Sequence, residues 1–173
     1  MSTAELAQVE RALERLLSTD TSLPGRLPLE DHHELWSAFR RASGGGKRFR
    51  PALLLSTHQA LGGHRPAAAV QVAAAIELLH TAFVVQDDVI DGDQLRRGAP
   101  SLPGEFAARA RTQGAPAAGA RRYGEAAGIL AGDLWMLGAV RAIARCEAPA
   151  PVIDALLDLV ETKIGRASCR ERV

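Results

Sequence analysis

The sequence predicts an all-α protein, and its composition and spacing carry the prediction. Of the 173 residues, 47% are hydrophobic but only 4% are aromatic, and alanine and leucine dominate. Such side chains favour close-packed helices over a sheet rich in valine, tyrosine and phenylalanine. Apolar residues also recur at helical spacing in segments that glycine and proline separate. A chain of this length suits one domain that buries about 70% of its unfolded surface.

Two helices are predicted before the first glycine cluster. A capping box over residues 2–5 and leucines at helical spacing predict a first helix that ends near Ser18. A second helix is predicted over about residues 29–42, because apolar side chains share one face and three glycines follow it at 44–46.

Prolines mark the starts of the next two helices. Pro51 and Pro66 are placed as first helical residues, which predicts helices over about 51–61 and 66–91. The second of these is almost entirely apolar between residues 70 and 90 and is therefore expected to be central. Beyond it we predict a loop over 92–116 with a short helix near 105–111. Two further helices are predicted, one over about 118–145 and one that begins near 152 and reaches about 160.

Charge and targeting signals limit the classes of partner. Basic residues number 21 and acidic residues 20, so the net charge of +1 gives no field toward nucleic acid or anionic membrane. The N-terminus is too charged for a signal peptide, and no membrane span of roughly 20 apolar residues is predicted. Cys146 and Cys169 lack metal-ligand spacing, which favours a reducing compartment. A cytoplasmic protein without a nucleic-acid partner is expected.

An acidic cluster ends the central helix, in the stretch QDDVIDGDQLRRG. On a helix Asp87 and Asp91 share a face with their Cβ atoms about 5–6 Å apart, and His80 lies roughly 10 Å along the axis from Asp87. Two carboxylates at a helix C-terminus repel each other and face the negative end of the macrodipole. Mg²⁺, which binds carboxylates together with substrate phosphates, would offset both effects. A solvated acidic helix end is the alternative, and spacing alone does not decide between them.

Two arginines close the same loop. Guanidinium groups bind phosphate in forked geometry, so Arg96 and Arg97 could hold a diphosphate that a metal ion holds from the other side. Their alternative role is ordinary pairing with Asp91 or Asp93, which contributes about 0–1 kcal/mol when exposed.

A second basic stretch is GGGKRFRP, residues 44–51. It is not a nucleotide P-loop, because arginine follows Lys47 where serine or threonine is required. Its glycines would still let Lys47 and Arg50 approach an anion just ahead of a helix N-terminus. The alternative is a flexible connector whose cations are solvated.

Four segments together resemble the N-terminal portion of the trans-isoprenyl diphosphate synthases, the polyprenyl synthetase family with its farnesyl and geranylgeranyl diphosphate synthases. They are GGGKRFRP, IELLHTAFVVQDDVID, LRRGAPS and GILAGDLW, and they follow one another in the family's order between residues 44 and 145. The resemblance implies a helical bundle of the isoprenoid synthase type, here truncated to its N-terminal helices. Residues 1–162 are expected to be the N-terminal part of one such domain.

The resemblance also implies a role for each candidate residue. Asp87 and Asp91 would be direct Mg²⁺ ligands, Asp88 would support them, and Arg96 would contact the allylic diphosphate, so these four would form the catalytic set. The diphosphate of isopentenyl diphosphate would be held by Lys47, Arg50, His80 and Arg97.

The implied reaction is a Mg²⁺-dependent prenyl transfer in which an allylic diphosphate ionises, isopentenyl diphosphate attacks it and a proton is lost. The bulk of the side chains four and five positions before the first aspartate is expected to set product length. Phe83 favours a short product and Ala82 a longer one, which together predict C15 to C20. The complete protein is expected to be a homodimer.

Two other functions stay open. A class I terpene cyclase would share the aspartate motif, but it has no use for a second diphosphate site. The basic stretch, His80 and Arg97 indicate such a site and argue against a cyclase. A non-catalytic subunit of a heteromeric prenyl synthase would use the helical surface to bind its partner.

The end of the chain differs from the rest. The stretch KIGRASCRERV, residues 163–173, can be encoded by codons that spell a common short-read sequencing adapter, and we expect a non-native tail there. The sequence contains one aspartate-rich motif, whereas the family has two. We therefore expect an incomplete chain with little activity of its own.

Overall fold

The computed structural model describes residues 3–17, 34, 37–38, 40–44 and 46–170, with side chains described up to residue 163. The all-α prediction is confirmed, since helices dominate the described residues. The helices are α1 (Thr3–Leu17), α2 (Phe49–Ala60), α3 (Pro66–Ile90), α4 (Leu102–Thr112), α5 (Ala117–Ala144) and α6 (Ala150–Arg170). Two short strands, β1 (Leu95–Arg96) and β2 (Ala99–Pro100), pair antiparallel.

The predicted helices agree with the observed ones in order and, with few exceptions, in extent. The proposed cap at Ser2 lies outside the described residues, as does most of the helix predicted over 29–42. The residues of that helix that the structure describes, 34, 37–38 and 40–42, are all helical. Helix α2 begins at Phe49, so Pro51 is its third residue and not its first. Proline is tolerated there because the first N–H groups of a helix have no partner within it.

Two other expectations need correction. Residues 92–116, predicted mainly as loop, contain the strand pair and a helix that begins at Leu102, three residues before the predicted start. Ser101 caps this helix, because its Oγ accepts a hydrogen bond from the backbone N–H of Gly104 at 3.1 Å. Helix α6 continues to Arg170, well past the predicted end near residue 160.

The chain forms two compact units. The first comprises Met1–Leu16, Arg48–Glu77 and Gly138–Val173, and the second comprises Leu17–Lys47 and Leu78–Leu137. In the first unit Gln71 on α3 donates through Nε2 to the carbonyl of Ala142 on α5 at 2.8 Å. Its core is made of small and branched side chains from five helices, including Val9, Leu13, Leu55, Ala73, Ile143 and Val160.

The second unit packs the C-terminal part of α3 against α4 and α5. Its buried side chains include Leu78, Ala82, Val85, Leu102, Phe106 and Trp135. Gly124 lets α5 approach α4 closely, because a Cβ atom at this position would lie 2.2 Å from the carbonyl oxygen of Pro103. Backbone cannot yield as a flexible side chain can, so this contact requires glycine.

Gly124→Ala is therefore expected to destabilise the protein by about 1–3 kcal/mol, as overpacking in a close-packed core does. The matched control is Gly119→Ala on the same helix, where the nearest atom to an added Cβ is 3.9 Å away. Removing a flexible glycine from a helix there should stabilise by about 0.5–1 kcal/mol. Urea unfolding of both variants checks the pair, and equal changes in the free energy of unfolding would contradict the close approach.

Helices α3 and α5 are also long and apolar enough to cross a membrane by length and composition alone, with mean hydropathies of 1.8 and 1.4. The expectation that no segment has the make-up of a membrane span is therefore not confirmed. The apolar window of α3 is 72% buried within the protein, as in the core helix of a soluble protein, whereas that of α5 is 39% buried.

Candidate functional site

The acidic cluster lies at the C-terminal end of α3, as predicted. Asp91 follows the last helical residue, and its backbone N–H donates to the carbonyl of Asp87 at 2.8 Å. The helical pattern therefore extends through Asp91 and keeps the two aspartates one turn apart. Both side chains are exposed, and neither makes an ion pair with any described residue.

A glycine ends the helix and sets the geometry of the cluster. Gly92 has a φ of 70°, a left-handed conformation that glycine adopts without steric cost. Its N–H donates to Val89 at 3.2 Å, and the N–H of Asp93 donates to the carbonyl of Asp88 at 2.8 Å. These two bonds form a Schellman motif, which satisfies the last carbonyls of the helix. The chain therefore turns sharply away just after the two exposed carboxylates.

Asp88 has a different environment from its neighbours. Its side chain is only 2% exposed. Its Oδ1 accepts a hydrogen bond from Nε of Arg96 at 2.7 Å and forms an ion pair with Nη2 of the same guanidinium, also at 2.7 Å. Burial raises the pKa of the Asp88 carboxyl above its ordinary value, although the Arg96 guanidinium opposes the shift. Asp88 is thus committed to Arg96, which fits the supporting role expected for it rather than that of a direct metal ligand.

The same contact revises the expectation for Arg96. The alternative to a diphosphate ligand was an ion pair with Asp91 or Asp93, but the partner of Arg96 is Asp88. The Asp88 carboxylate raises the pKa of Arg96, so the guanidinium keeps its positive charge. Arg96 is on β1, and its Nη1 has no hydrogen-bond partner among the described residues. The ion pair therefore holds the guanidinium at the end of α3 with donors to spare.

A tight hairpin presents the second arginine. Arg97 and Gly98 connect β1 to β2, and both have positive φ values, 53° and 82°. Positive φ at both central residues is the type I′ arrangement, whose twist matches that of paired strands. Ser101, just after β2, anchors the hairpin to the residue that follows the helix-ending glycine, since its Oγ donates to the carbonyl of Asp93 at 2.6 Å. Arg97 is exposed at the tip.

The expected magnesium site can be tested against these positions. Among the described residues no group of three or more His, Cys, Asp or Glu side chains could hold a metal ion by itself. Asp87 and Asp91 nevertheless suit Mg²⁺, because they are exposed, unpaired and one turn apart, and Mg²⁺ commonly uses one or two carboxylates and takes its other ligands from water and substrate phosphates. The donor set therefore fits a site that a bound diphosphate completes.

The residues expected to bind the second diphosphate fall into both units. Lys47 in the second unit and Arg50 in the first are exposed. His80 on α3 is half-buried and already has an interaction within the protein. Arg50 is the second residue of α2, where an anion would meet unpaired backbone N–H groups.

Arg48, between these two cations, received no role from the sequence alone. It is half-buried, and its guanidinium binds Glu10 on α1 and Glu77 on α3. Both partners are far away along the chain, so no local pattern could reveal them. The one indication in the sequence was that the basic stretch contains a third cation in addition to the two assigned to the diphosphate.

Two positions before the aspartates were expected to set product length. Ala82 is fully buried and Phe83 is half-buried. Beside them, Gln86 donates through Nε2 to Oδ1 of Asp133 on α5 at 3.2 Å. A Cβ at Gly132 would lie 2.7 Å from Cγ of Gln86, so α5 packs closely on this part of α3.

The sequence profile of the polyprenyl synthetase family matches residues 33–166. The chain belongs to this family. The match extends beyond the segment from 44 to 145 on which the resemblance was based, and it covers every candidate residue named above. The polyprenyl synthetase assignment thus agrees with the order of the basic, acidic and arginine motifs.

Relatives of known name are similar over part of their length. The chain is 36% identical over 136 residues to the short chain isoprenyl diphosphate synthase of Methanothermobacter thermautotrophicus, an alignment that covers 75% of this chain and 36% of the relative. It is 44% identical over 91 residues to the farnesyl diphosphate synthase of Geobacillus stearothermophilus, covering 51% of this chain and 25% of that enzyme.

The fold also agrees with solved polyprenyl synthetase structures. The geranylgeranyl pyrophosphate synthetase of Pyrococcus horikoshii matches with a TM-score of 0.66 and 30% identity over 92% of this chain and 40% of that one. The expected isoprenoid-synthase helical bundle is therefore confirmed. The chain spans about 36% of the first relative's length and 40% of this structure's.

Proposed function

We propose that the protein is a prenyltransferase that condenses isopentenyl diphosphate with an allylic diphosphate. The observation that carries the proposal is the end of α3, where two exposed, unpaired carboxylates stand beside an arginine fixed by a buried aspartate. The relatives described above are a short chain isoprenyl diphosphate synthase and a farnesyl diphosphate synthase, which supports the same reaction.

In this proposal Asp87 and Asp91 would hold Mg²⁺, the cofactor, together with the diphosphate of the allylic substrate. The metal ion would supply positive charge that stabilises the departing diphosphate. Arg96 adds charge-assisted hydrogen bonds to the same group, through the donors that Asp88 leaves unused. Asp88 acts on the reaction through Arg96, since it is too buried to touch substrate.

Isopentenyl diphosphate would bind through Lys47, Arg50, His80 and Arg97. The bond between the allylic carbon and oxygen breaks, a carbon–carbon bond forms with the homoallylic double bond, and the proton lost passes to the released pyrophosphate. No side-chain nucleophile is needed. Buried apolar residues such as Ala82 and Val85, five and two residues before Asp87, would keep water from the carbocation.

The test is an assay of the complete gene product with isopentenyl diphosphate, Mg²⁺ and dimethylallyl, geranyl or farnesyl diphosphate. Mass spectrometry should find C15 to C20 diphosphates, as Ala82 and Phe83 predict, and EDTA should stop their formation. A folded protein that elongates none of these substrates would contradict the proposal. Longer products would contradict only the chain length.

A non-catalytic subunit of a heteromeric prenyl synthase is a second candidate, and one observation favours it. Leu130 and Leu137 on α5 are 63% and 65% exposed, so this helix has apolar surface available for a partner. The same surface supports a homodimer. Turnover by the purified protein alone favours the enzyme, whereas turnover only with a second synthase subunit favours the alternative.

A class I terpene cyclase is the weaker alternative, because Lys47 and Arg50 would then have no diphosphate to bind. Its product would be a hydrocarbon made without isopentenyl diphosphate, which the same assay detects. We further propose a cytoplasmic location, as for a protein whose substrates are water-soluble diphosphates. Expression as a fluorescent fusion and fractionation would test it, and recovery in the membrane fraction would contradict it.

A further inference from the structure

Arg48 binds two helices of the first unit at once. Its Nε and Nη2 donate to the two carboxylate oxygens of Glu10 on α1, at 2.5 and 3.2 Å, and its Nη1 donates to Oε1 of Glu77 on α3 at 3.1 Å. Every nitrogen of the guanidinium therefore donates to a carboxylate. Three of its five N–H donors are thus engaged, and the side chain is only 12% exposed, so the guanidinium is poorly accessible to a substrate phosphate.

The pair with Glu77 is sheltered from water. The Arg48 and Glu77 side chains are 12% and 9% exposed, whereas Glu10 is 46% exposed. Burial alone would lower the pKa of Arg48, but the two carboxylates outweigh it and the pKa is raised. Screening by salt is weak at such positions, so these contacts constrain the arginine more than a surface ion pair would.

The backbone of Arg48 is held in an unusual conformation. Its φ of 47° and ψ of 39° lie in the left-handed region, which costs a residue with a side chain roughly 1–2 kcal/mol. Such a conformation persists only where the surroundings determine it. No side-chain cap is present at this helix start, whereas the Arg48 side chain is held by two ion pairs.

Arg48 is the residue from which α2 begins. Its carbonyl accepts the N–H of Ala52 at 3.0 Å, the first hydrogen bond of the helix. Arg50 is the second helical residue and belongs to the same unit as Arg48, Glu10 and Glu77. The direction of the α2 axis from Arg48 therefore determines the position of the Arg50 Cα atom, from which the side chain extends.

We propose that Arg48 is a positioning residue, whose ion pairs with Glu10 and Glu77 fix the start of α2 and thereby place Arg50 for the diphosphate of isopentenyl diphosphate. The inference rests on the proposed function. It gives the three cations of the basic stretch different tasks: Lys47 and Arg50 bind substrate, and Arg48 binds the protein.

The test compares Arg48→Gly with Arg48→Ala in the complete gene product. Glycine adopts the left-handed conformation freely, so it separates the guanidinium from the backbone strain. Both variants should raise the KM for isopentenyl diphosphate about tenfold or more, because a displacement of about 1 Å at a binding group can cost 10²-fold. The KM for the allylic diphosphate should stay within about twofold, since Asp87, Asp91 and Arg96 are unchanged.

A matched control removes another arginine of the same unit. Arg65 is exposed and donates through Nη1 to the carbonyl of Glu147 at 2.9 Å. Arg65→Ala should leave both KM values unchanged. The inference would be overturned if Arg48→Gly left the KM for isopentenyl diphosphate at the wild-type value. An equal rise in the KM values of both substrates would also overturn it, because that result indicates a general loss of structure.

Two further results keep the outcomes distinct. If both Arg48 variants fail to fold, Glu10→Gln is the deciding variant, because it weakens only the exposed ion pair. It should raise the KM for isopentenyl diphosphate about threefold, which is the effect of losing less than 1 kcal/mol. An unchanged KM would overturn the inference. If the folded wild-type protein turns over no substrate, the proposed function fails and the inference falls with it.

Discussion

Asp87→Ala in the complete gene product should lower Mg²⁺-dependent prenyl transfer about 10³-fold or more, because it removes one of two carboxylates that would hold the metal ion against the substrate. Asp91→Ala should have an effect of the same order. Steady-state rates over a range of Mg²⁺ concentrations would measure both, and extra Mg²⁺ should restore little activity since a ligand is lost rather than weakened.

The free energy of unfolding of Asp87→Ala should not fall with its activity. Asp87 and Asp91 repel each other and stand at the negative end of a helix dipole, so removing one should leave the metal-free protein as stable or more stable by about 0.3–1 kcal/mol. Mg²⁺ with pyrophosphate should raise the Tm of the wild-type protein by mass action and that of the variant much less. Loss of activity together with retained stability identifies a functional carboxylate.

Asp93→Ala is the matched control, because Asp93 is an exposed aspartate of the same turn that has no proposed ligand role. Its rate should stay within about threefold of wild type, as for a charge outside the reacting groups. Near-normal turnover by Asp87→Ala, or an equally large loss with Asp93→Ala, would contradict the proposed metal site.

The acidic cluster could be predicted from sequence because its geometry is local. Helical periodicity alone relates Asp87 to Asp91, and the apolar run before them predicts the helix. The glycine at 92 then ends the helix by a motif that depends on adjacent residues only. Local rules of this kind also account for the close agreement of the observed helices with the predicted ones.

The contacts that organise the site could not be predicted in the same way. Arg48 meets Glu10 and Glu77 across separations of 38 and 29 residues, and tertiary packing alone decides such pairs. Arg96 is eight residues from Asp88, but its choice of partner depends on a hairpin that the sequence did not indicate. In both cases the arginines were found and their partners were not, since charge is visible in a sequence whereas burial of a particular carboxylate is not.

The Asp88–Arg96 pair predicts the second large effect, on stability. Arg96→Met would leave a buried carboxylate without its donor, which should lower the free energy of unfolding at neutral pH by about 1–3 kcal/mol. Asp88→Asn should cost less, because the Arg96 side chain is 38% exposed and can turn to water. Asp88→Asn combined with Arg96→Met should recover much of the loss, since the double variant has no buried charge.

The loss caused by Arg96→Met should also depend on pH in a defined direction. Burial already raises the pKa of Asp88 above its ordinary 3.8, and removing Arg96 should raise it further. Between 3.8 and that raised pKa the unfolded chain loses the Asp88 proton while the folded chain keeps it, so the free energy of unfolding falls as the pH rises. The wild-type protein loses stability in the same way up to its own, lower pKa for Asp88. The deficit relative to wild type should therefore be smallest at acid pH, grow between the two folded-state pKa values and level off above them. Urea unfolding in EDTA across the pH range measures it. A deficit that is the same at every pH would show that Arg96 stabilises by packing alone, and would remove the basis for treating Asp88 as the residue that holds Arg96 ready for the diphosphate.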